Sequence, residues 1–307
     1  MRLDEAVWTG RERAHLERVD AFCAPHLERR RTGRTHPVWD FLFTYYSLRP
    51  SRLRRWHPGF GVVLGGAAAR SRLGHSGYAE GPGGVTVSRD HLLARADTVR
   101  FVAGLLHATA ARAPRLNCFG LHEWAMVYRT DSARHDAVPL RLGGAGTDAV
   151  VESMSLRCTH FDAFRFFTEP ALGRNAEQLS RQRQIDTEQP GCLHAAMDLY
   201  KWAYKLVPLV DSDLVMDCLE LAADARLLDM RASPYDLSAY GFDAIAIETP
   251  AGRAEYVREQ QDVARRAVPL RAALTARCDA LNDELDRVAE RDDTAAVHAG
   301  FAHITHG

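Results

Sequence analysis

Hydrophobic residues recur at helical spacing over most of the chain, so the pattern predicts a mostly α protein, folded as a compact multi-helix domain. Capping residues at helix starts, and proline or glycine at helix ends, set approximate boundaries. The helices predicted in this way cover residues 4–23, 38–48, 89–112, 117–129, 192–206, 212–229 and 250–289, with Pro269 as an expected break in the last one.

Three stretches lack the helical pattern. Residues 59–86 are rich in glycine and small side chains and are predicted to form a loop. Residues 138–158 carry apolar runs on either side of a glycine-rich turn, which predicts a small β-hairpin. Residues 292–307 are predicted to form a loose, histidine-containing tail.

Basic residues are concentrated near the N-terminus. The whole chain carries a formal net charge of −1, but residues 1–72 hold 14 Arg against 7 Asp and Glu. The expected organisation is one helical domain over 1–291, in which this basic region precedes a core over 88–291. Clustered arginines suit the phosphates of a nucleic acid, and a solvated surface is the alternative. The candidate phosphate-binding residues are Arg49, Arg52, Arg54 and Arg55.

No segment of the sequence indicates a membrane or an exported protein. Met1 to Asp20 is charged throughout, and there is no apolar run of membrane length. The six cysteines are scattered without a C-x-x-C pair, which is typical of reduced cysteines rather than of disulfides or a thiolate zinc site. We therefore expect a cytoplasmic protein without a membrane partner, and the sequence indicates no oligomeric state.

Lysine is scarce, because only Lys201 and Lys205 among the 39 cationic residues are lysines. Arginine can replace lysine where only charge matters, but not where a compact amine that can lose its proton is needed. In the predicted helix 192–206, His194 and Asp198 share one face with both lysines. This face is a candidate catalytic surface, on which a lysine among aromatic residues acts as an amine nucleophile or a base. A solvated face is the alternative.

The next predicted helix carries acidic residues in the same rhythm, at Asp213, Asp217, Glu220 and Asp224. Consecutive helices with a short connection pack as antiparallel neighbours, so this acidic stripe could face the lysine stripe. The alternative is that the acidic stripe faces water, as runs of charge usually do.

Residues 208–221, followed by Ser233-Pro-Tyr-Asp236, resemble in degraded form the helix-hairpin-helix signature of DNA glycosylases. The resemblance implies a degenerate helix-hairpin-helix glycosylase-like fold and makes Asp236 the catalytic aspartate. The hairpin glycines of that signature are missing, because Val210-Asp-Ser212 stands in their place. Glycines there let backbone N–H groups approach a phosphate, so ordinary phosphate binding at this hairpin is not expected.

A broader resemblance is carried by residues 36–46, 121–129, 160–167, 188–194 and 228–236. These segments resemble a bacterial family, common in actinobacteria, that is labelled 3-methyladenine DNA glycosylase. The resemblance implies an N-glycosidic hydrolase that excises an alkylated or modified purine from DNA or from a nucleoside, without a cofactor.

Such an enzyme must flip the nucleotide and stack the cationic base on electron-rich rings. The candidate base-binding residues are Trp124, Tyr128, Phe161, Phe164, Trp202 and Tyr204. A carboxylate must then stabilise the oxocarbenium-like sugar or activate water, and the candidates are Asp236, Asp229 and Asp198. If Lys201 or Lys205 attacked the sugar carbon, the enzyme would also have lyase character.

Metal binding is the main alternative. The pairs His122-Glu123, His160-x-Asp162 and His194-x-x-x-Asp198 could bring three imidazoles and up to three carboxylates together in a helical bundle. Such a site would suit Fe or Mn and would indicate a metal-dependent oxidase or hydrolase. The Glu-x-x-His and H-E-x-x-H motifs are absent, as are a phosphate-binding loop and a G-x-S-x-G motif. A third hypothesis is a non-catalytic nucleic-acid-binding protein that uses the arginines between Arg29 and Arg55.

Overall fold

Helices make up most of the structure, which confirms the predicted fold class. The computed structural model describes residues 1–130 and 138–302, with side chains as far as Arg291. Its α-helices are α1 (Glu5–Arg31), α2 (Phe41–Thr44), α3 (Pro50–Leu53), α4 (Arg89–Leu93), α5 (Ala96–Ala110), α6 (Leu121–Ala125), α7 (Gly143–Ser153), α8 (Phe161–Phe164), α9 (Glu169–Leu172), α10 (Gln184–Thr187), α11 (Leu193–Lys205), α12 (Ser212–Arg231) and α13 (Pro250–Ala302). None of the described helices is both long and apolar enough to cross a membrane.

Helix α11 lies at the centre of the fold. Every residue from Leu193 to Ala203 is buried, because α11 packs along α12 and also against α13. A helix that is covered on all sides is normally apolar all round. Helix α11 instead carries His194, Asp198 and Lys201 in buried positions, so each of these needs polar partners from neighbouring segments.

One small sheet accompanies the helices. Its strands are β1 (Arg2–Leu3), β2 (Val63–Leu64), β3 (Tyr78–Gly81) and β4 (Gly84–Val87), in the order β1-β2-β4-β3. Strand β1 is parallel to β2, and the other two pairs are antiparallel.

The β3–β4 hairpin occupies most of the second half of the stretch 59–86, so the loop prediction is wrong there. The strands are too short for a clear alternation, and glycines separate the buried residues Val85 and Val87 from Tyr78. A Cβ on Gly84 would lie 2.0 Å from the carbonyl oxygen of Leu64. The glycine therefore marks a close approach of two strands and not a loop.

The β-hairpin predicted at 138–158 is also wrong. Helix α7 takes up most of this stretch, and its Val150 and Val151 are buried. The strand contacts in this region are two single bridges, Leu140 with Tyr235 and Leu156 with Asn175. The glycines that suggested a turn stand in the first turn of the helix, where backbone N–H groups have no helical partner in any case.

Two helices are longer than the hydrophobic pattern predicted. Helix α1 continues through Pro25 to Arg31, and α13 contains Pro269 without a break. Because Pro269 is exposed, the carbonyl that loses its helical partner can bind water instead. The segment 292–307, predicted as a loose tail, is helical as far as Ala302, and residues 303–307 lie outside the described residues.

The acidic stripe of α12 does not face the lysines of α11. Asp217 and Glu220 accept hydrogen bonds of 2.7 and 2.8 Å from Arg18 of α1. Asp224 accepts one from Arg266 of α13. The hypothesis of facing stripes is therefore wrong, because the arginines of two other helices neutralise these acidic residues.

We expect Gly252→Ala to destabilise the fold by about 1–3 kcal/mol. A Cβ at this position would lie 2.0 Å from the carbonyl oxygen of Ala246, so the first turn of α13 would have to move away from Ala246. The matched control is Gly10→Ala on the exposed side of α1, where an added Cβ meets nothing within 4 Å. That change should stabilise by ~0.5–1 kcal/mol through helix propensity. Urea unfolding measures the free energy of unfolding of both variants. Equal changes in this free energy would contradict the close contact between Gly252 and Ala246.

Candidate functional site

The buried face of α11 supplies the polar residues of the candidate site. His194, Asp198 and Lys201 are each at most 8% exposed. Lys205 follows one turn later at the exposed end of the helix. The helical spacing therefore divides the two lysines between two environments, one in the core and one at the surface.

The ammonium group of Lys201 lies between two carboxylates. Its Nζ donates a hydrogen bond of 2.9 Å to Asp162 Oδ2 and a second one to Asp198 Oδ2. Arg181 donates to both carboxylate oxygens of Asp162. The hydroxyl of Tyr46 donates to Asp198 Oδ1 at 3.3 Å. We call Lys201, Asp162, Asp198 and Arg181 the Lys201 cluster.

The Lys201 cluster keeps its lysine protonated. Burial acts to lower the pKa of Lys201, but the charges of Asp198 and Asp162 outweigh burial and raise it. Burial also acts to raise the pKa of Asp162, yet Lys201 and Arg181 lower it well below its usual range. An amine nucleophile must lose its proton, so the environment of Lys201 does not suit the nucleophilic role considered from the sequence.

Lys205 has the opposite electrostatic environment. Partial burial and the charge of Lys201 lower the pKa of Lys205. Its Nζ lies 5.1 Å from the ring centroid of Trp202, a contact that supports the cation without neutralising it. Of the two lysines, Lys205 is therefore the one whose amine suits chemistry at an open surface.

A surface cleft of about 850 Å³ opens onto Lys201 and Asp162. Among the described residues that line it, five lysines and arginines stand against two aspartates. The charged lining residues are Arg95, Asp97, Asp162, Arg165, Arg181, Lys201 and Lys205, and the aromatic ones are Tyr45, Tyr46, Phe101, Trp202 and Tyr204. A cavity of this size and composition suits an anionic ligand that carries a flat ring.

The six predicted base-binding residues fall into two groups. Trp202 and Tyr204 line the cleft, and Phe161 lies under the guanidinium of Arg181, whose Cζ is 4.8 Å from the ring centroid. The other three are buried in the core and do not line the cleft: Trp124, Tyr128 and Phe164.

Two buried groups of potential metal ligands adjoin the Lys201 cluster. In each group the ligand atoms lie within 4.8 Å of one another. The groups touch, because the ring centroids of His194 and His160 are 5.3 Å apart. We call them the His160 triad, which consists of His160, Glu188 and Asp198, and the His122 triad, which consists of His122, His194 and Asp229.

The structure thus brings together the three histidines and Asp198 of the metal hypothesis but not its other two carboxylates. Glu123 accepts a hydrogen bond of 2.8 Å from Arg226, and Asp162 belongs to the Lys201 cluster. Asp229 and Glu188 lie beside the histidines instead. In the sequence, Asp229 is a candidate for another role, and Glu188 stands in an irregular segment where no helical pattern indicates it.

The His122 triad is paired internally. His122 Nε2 lies 2.7 Å from Asp229 Oδ1, and Arg226 donates to Asp229 Oδ2 at 3.1 Å. Burial opposes protonation of His122, but the charge of Asp229 outweighs burial and raises the pKa of this histidine well above its usual value. Every charge in this triad therefore has a partner within the protein.

The His160 triad is not paired in this way. His160 is fully buried, and neither ring nitrogen has a hydrogen-bond partner among the described residues. Its Nε2 lies 3.2 Å from Asp198 Oδ2 and 4.0 Å from Glu188 Oε1. Burial, with the charge of Lys201, lowers the pKa of His160 to about 3. Burial, with the charge of Asp198, raises the pKa of Glu188 to about 7. A neutral imidazole therefore faces two buried carboxyl groups.

The resemblance to a DNA-binding hairpin does not extend to its geometry. The loop between α11 and α12 packs against residues 57–60: Phe60 N donates to Leu209 O, and Ser212 N donates to His57 O. The N–H group of Ser212 is therefore not available to a phosphate, and neither is that of Leu209, which donates to Leu206 O. Asp236, the catalytic aspartate implied by the resemblance, does not line the cleft and accepts a hydrogen bond from Ser238 N at 2.9 Å in a surface turn.

All four predicted phosphate-binding arginines are exposed. Arg54 is paired with Asp20. Arg52 and Arg55 line a smaller cavity of about 220 Å³, which shares Tyr204 with the cleft. Positive charge therefore continues from the cleft onto the neighbouring surface.

Comparison with known protein families, with curated proteins and with solved structures finds no match for this chain. The function must therefore be inferred from the residues themselves. Two features bear on it, namely the cationic and aromatic cleft and the polar core that adjoins it.

We expect Lys201→Met to destabilise the protein by about 3–5 kcal/mol, because it leaves the carboxylates of Asp162 and Asp198 buried without their shared cation. Lys205→Met is the matched control on the same helix. It should change the stability by no more than ~0.5 kcal/mol, since Lys205 is exposed. Urea unfolding at pH 7 measures the stability of both variants. Equal losses of stability would contradict the stabilising role assigned to Lys201 in the Lys201 cluster.

Proposed function

We propose that this protein is an N-glycosidic hydrolase that removes a modified purine from DNA, with the cleft beside α11 as its active site. One observation carries the proposal: Asp162, held ionised by Lys201 and Arg181, lines a cationic and aromatic cleft of about 850 Å³. Small-molecule sites have volumes of ~300–1,000 Å³, so a single flipped nucleotide fits a cleft of this size.

The cations at the rim supply binding groups for the phosphate of the nucleotide. Arg95 donates to the backbone carbonyl of Lys205, and neither side chain is paired with a carboxylate in the part of the chain that the structure describes. Cations without a carboxylate partner suit phosphate oxygens. The phosphate is therefore assigned to the rim, where Arg95 and Lys205 lie, and the sugar to the wall formed by Asp162.

The aromatic residues supply the surface for the base. Tyr45, Trp202 and Tyr204 line the cleft, and the ring of Tyr45 is stacked on Phe41 with their centroids 4.7 Å apart. An alkylated purine carries a positive charge, which the electron-rich faces of Tyr45 and Tyr204 attract, whereas the ring of Trp202 is already in contact with the ammonium groups of Lys201 and Lys205. These rings therefore favour a modified purine over an aliphatic ligand.

The chemistry assigned to Asp162 is electrostatic. When the bond between C1′ and the base nitrogen breaks, the electron pair leaves with the base and positive charge develops on the sugar. A carboxylate at this point stabilises that charge while the cationic base leaves as a neutral molecule, and water adds to C1′ and releases its proton to the solvent. Since the pKa of Asp162 lies far below neutrality, its carboxylate is a weak base, and stabilisation of charge suits it better than proton removal.

DNA is favoured over a free nucleoside as the source of the base. Arg52 and Arg55 line a second cavity, which meets the cleft at Tyr204 and adds positive charge outside the cleft itself. A free nucleoside makes no use of such a surface, whereas the neighbouring phosphates of a strand do.

We expect the protein to release modified purines from methylated DNA, and Asp162→Asn to slow the release by ~10²–10³-fold through loss of the stabilising charge. Asp236→Asn is the control, since Asp236 only closes a surface turn and should retain full activity. Chromatography of the released bases measures both. A wild-type protein without base release, or an Asp162→Asn variant with wild-type rates, would overturn the assignment.

The salt dependence of DNA binding tests the arginine surface. Replacing Arg52 and Arg55 with Gln should reduce the slope of log K against log salt by about 2, because two phosphate contacts are lost. Arg54→Gln is the matched control and should leave the slope unchanged, because Arg54 is paired with Asp20. Steep salt dependence without any base release would favour the non-catalytic DNA-binding hypothesis.

A further inference from the structure

The His160 triad contains a buried imidazole without a partner. His160 is 0% exposed, and in the described part of the chain neither Nδ1 nor Nε2 makes a hydrogen bond. Leaving a buried polar atom unsatisfied costs about 1–3 kcal/mol. The contact of 3.2 Å with Asp198 Oδ2 does not remove this cost, because it lacks hydrogen-bond geometry. The nitrogen lone pair of a neutral imidazole is a ligand for a transition-metal ion.

A second, independent observation concerns Glu188. It is 3% exposed, and no lysine or arginine of the described chain lies within ion-pair distance of its carboxyl group. The amide of Gln184 donates to Glu188 Oε2 at 2.7 Å, which leaves Oε1 turned towards His160 Nε2 at 4.0 Å. Buried carboxylates are normally paired or coordinate a metal. An imidazole nitrogen and two carboxylate oxygens thus surround one point with no protein cation between Glu188 and His160.

We propose that His160, Glu188 and Asp198 bind one divalent transition-metal ion, Mn(II) or Fe(II). Two carboxylate oxygens and one imidazole nitrogen form a ligand set that is hard enough for these ions, and the absence of a thiolate from the triad disfavours a soft metal. The site adjoins the Lys201 cluster through Asp198, and it does not depend on which ligand the cleft binds.

The surroundings of the triad already orient its ligands. Tyr46 donates to Asp198 Oδ1 at 3.3 Å, and Gln184 holds the outer oxygen of Glu188. Outer partners of this kind fix the ligands of metal sites. The ring of His194 lies 5.3 Å from that of His160 and is the nearest further imidazole. The His122 triad differs, because Arg226 already neutralises Asp229 and His122 is hydrogen-bonded to it.

The test loads the full-length, chelator-treated protein with MnCl₂ and measures bound Mn(II) by electron paramagnetic resonance and elemental analysis. The expected result is about one tightly bound ion per chain, with ¹⁴N coupling from an imidazole in spin-echo spectra of the wild type. Glu188→Gln and His160→Gln should each weaken binding by at least about 100-fold, since loss of an outer partner alone weakens metal binding ~10–100-fold.

Two controls separate this site from other histidines. His107→Gln should bind Mn(II) like the wild type, because His107 is exposed and lies 2.9 Å from Asp279 on the surface. A variant with His298, His303 and His306 replaced by Gln should also bind one ion. Circular dichroism and the Tm show whether the triad variants fold.

Three outcomes would overturn the proposal: less than about 0.2 bound Mn(II) per wild-type chain, the absence of ¹⁴N coupling, or undiminished binding in a folded Glu188→Gln variant. If both variants fail to fold, a wild-type chain that binds no Mn(II) or shows no ¹⁴N coupling still overturns the proposal. These measurements use no DNA, so the metal site stands if base release is not found, and base release is judged separately through Asp162→Asn.

Discussion

The ion cluster around Lys201 constrains the rest of the site. Lys201, Asp162 and Asp198 are each at least nine-tenths buried, so none of them can stay ionised unless the others remain in contact. Lys201 and Asp198 belong to α11, whereas Asp162 comes from the short helix α8. The electrostatic requirement therefore holds α8 against the central helix. The wall of the cleft exists because this contact cannot open without leaving charges unpaired in the core.

The two triads contain the same residue types and lie next to each other, but their charges are paired differently. Both triads combine imidazole with carboxylate, but among the described side chains only the His122 triad has an arginine contact, from Arg226 to Asp229. That cation completes the pairing of its triad. The corresponding cation near the His160 triad, Lys201, contacts Asp198 and not Glu188. One missing contact, a cation at Glu188, thus separates the His160 triad from a closed ion network, and composition alone does not reveal this difference.

The sequence predicts those parts of the site that regular helices position. Because α11 is one uninterrupted helix, spacings of four and three place His194, Asp198 and Lys201 on a single face. Residues that come from irregular segments have no such periodicity, and Arg181 and Glu188 were not anticipated for that reason. The β3–β4 hairpin is not predictable for a similar reason, since four-residue strands interrupted by glycine show no alternation long enough to recognise.

The structure gives a steric reason for lysine instead of arginine at one of the two lysine positions, Lys201. The gap between Asp162, Asp198 and the ring of Trp202, which Lys201 Nζ approaches to 4.4 Å, admits a compact ammonium group. A planar guanidinium with five donors would displace these neighbours, so arginine is not an equivalent there. Lys205 is exposed and has no comparable steric restriction. At Lys205 the difference between the two residues is chemical, because an amine with a lowered pKa loses its proton more readily than a guanidinium does.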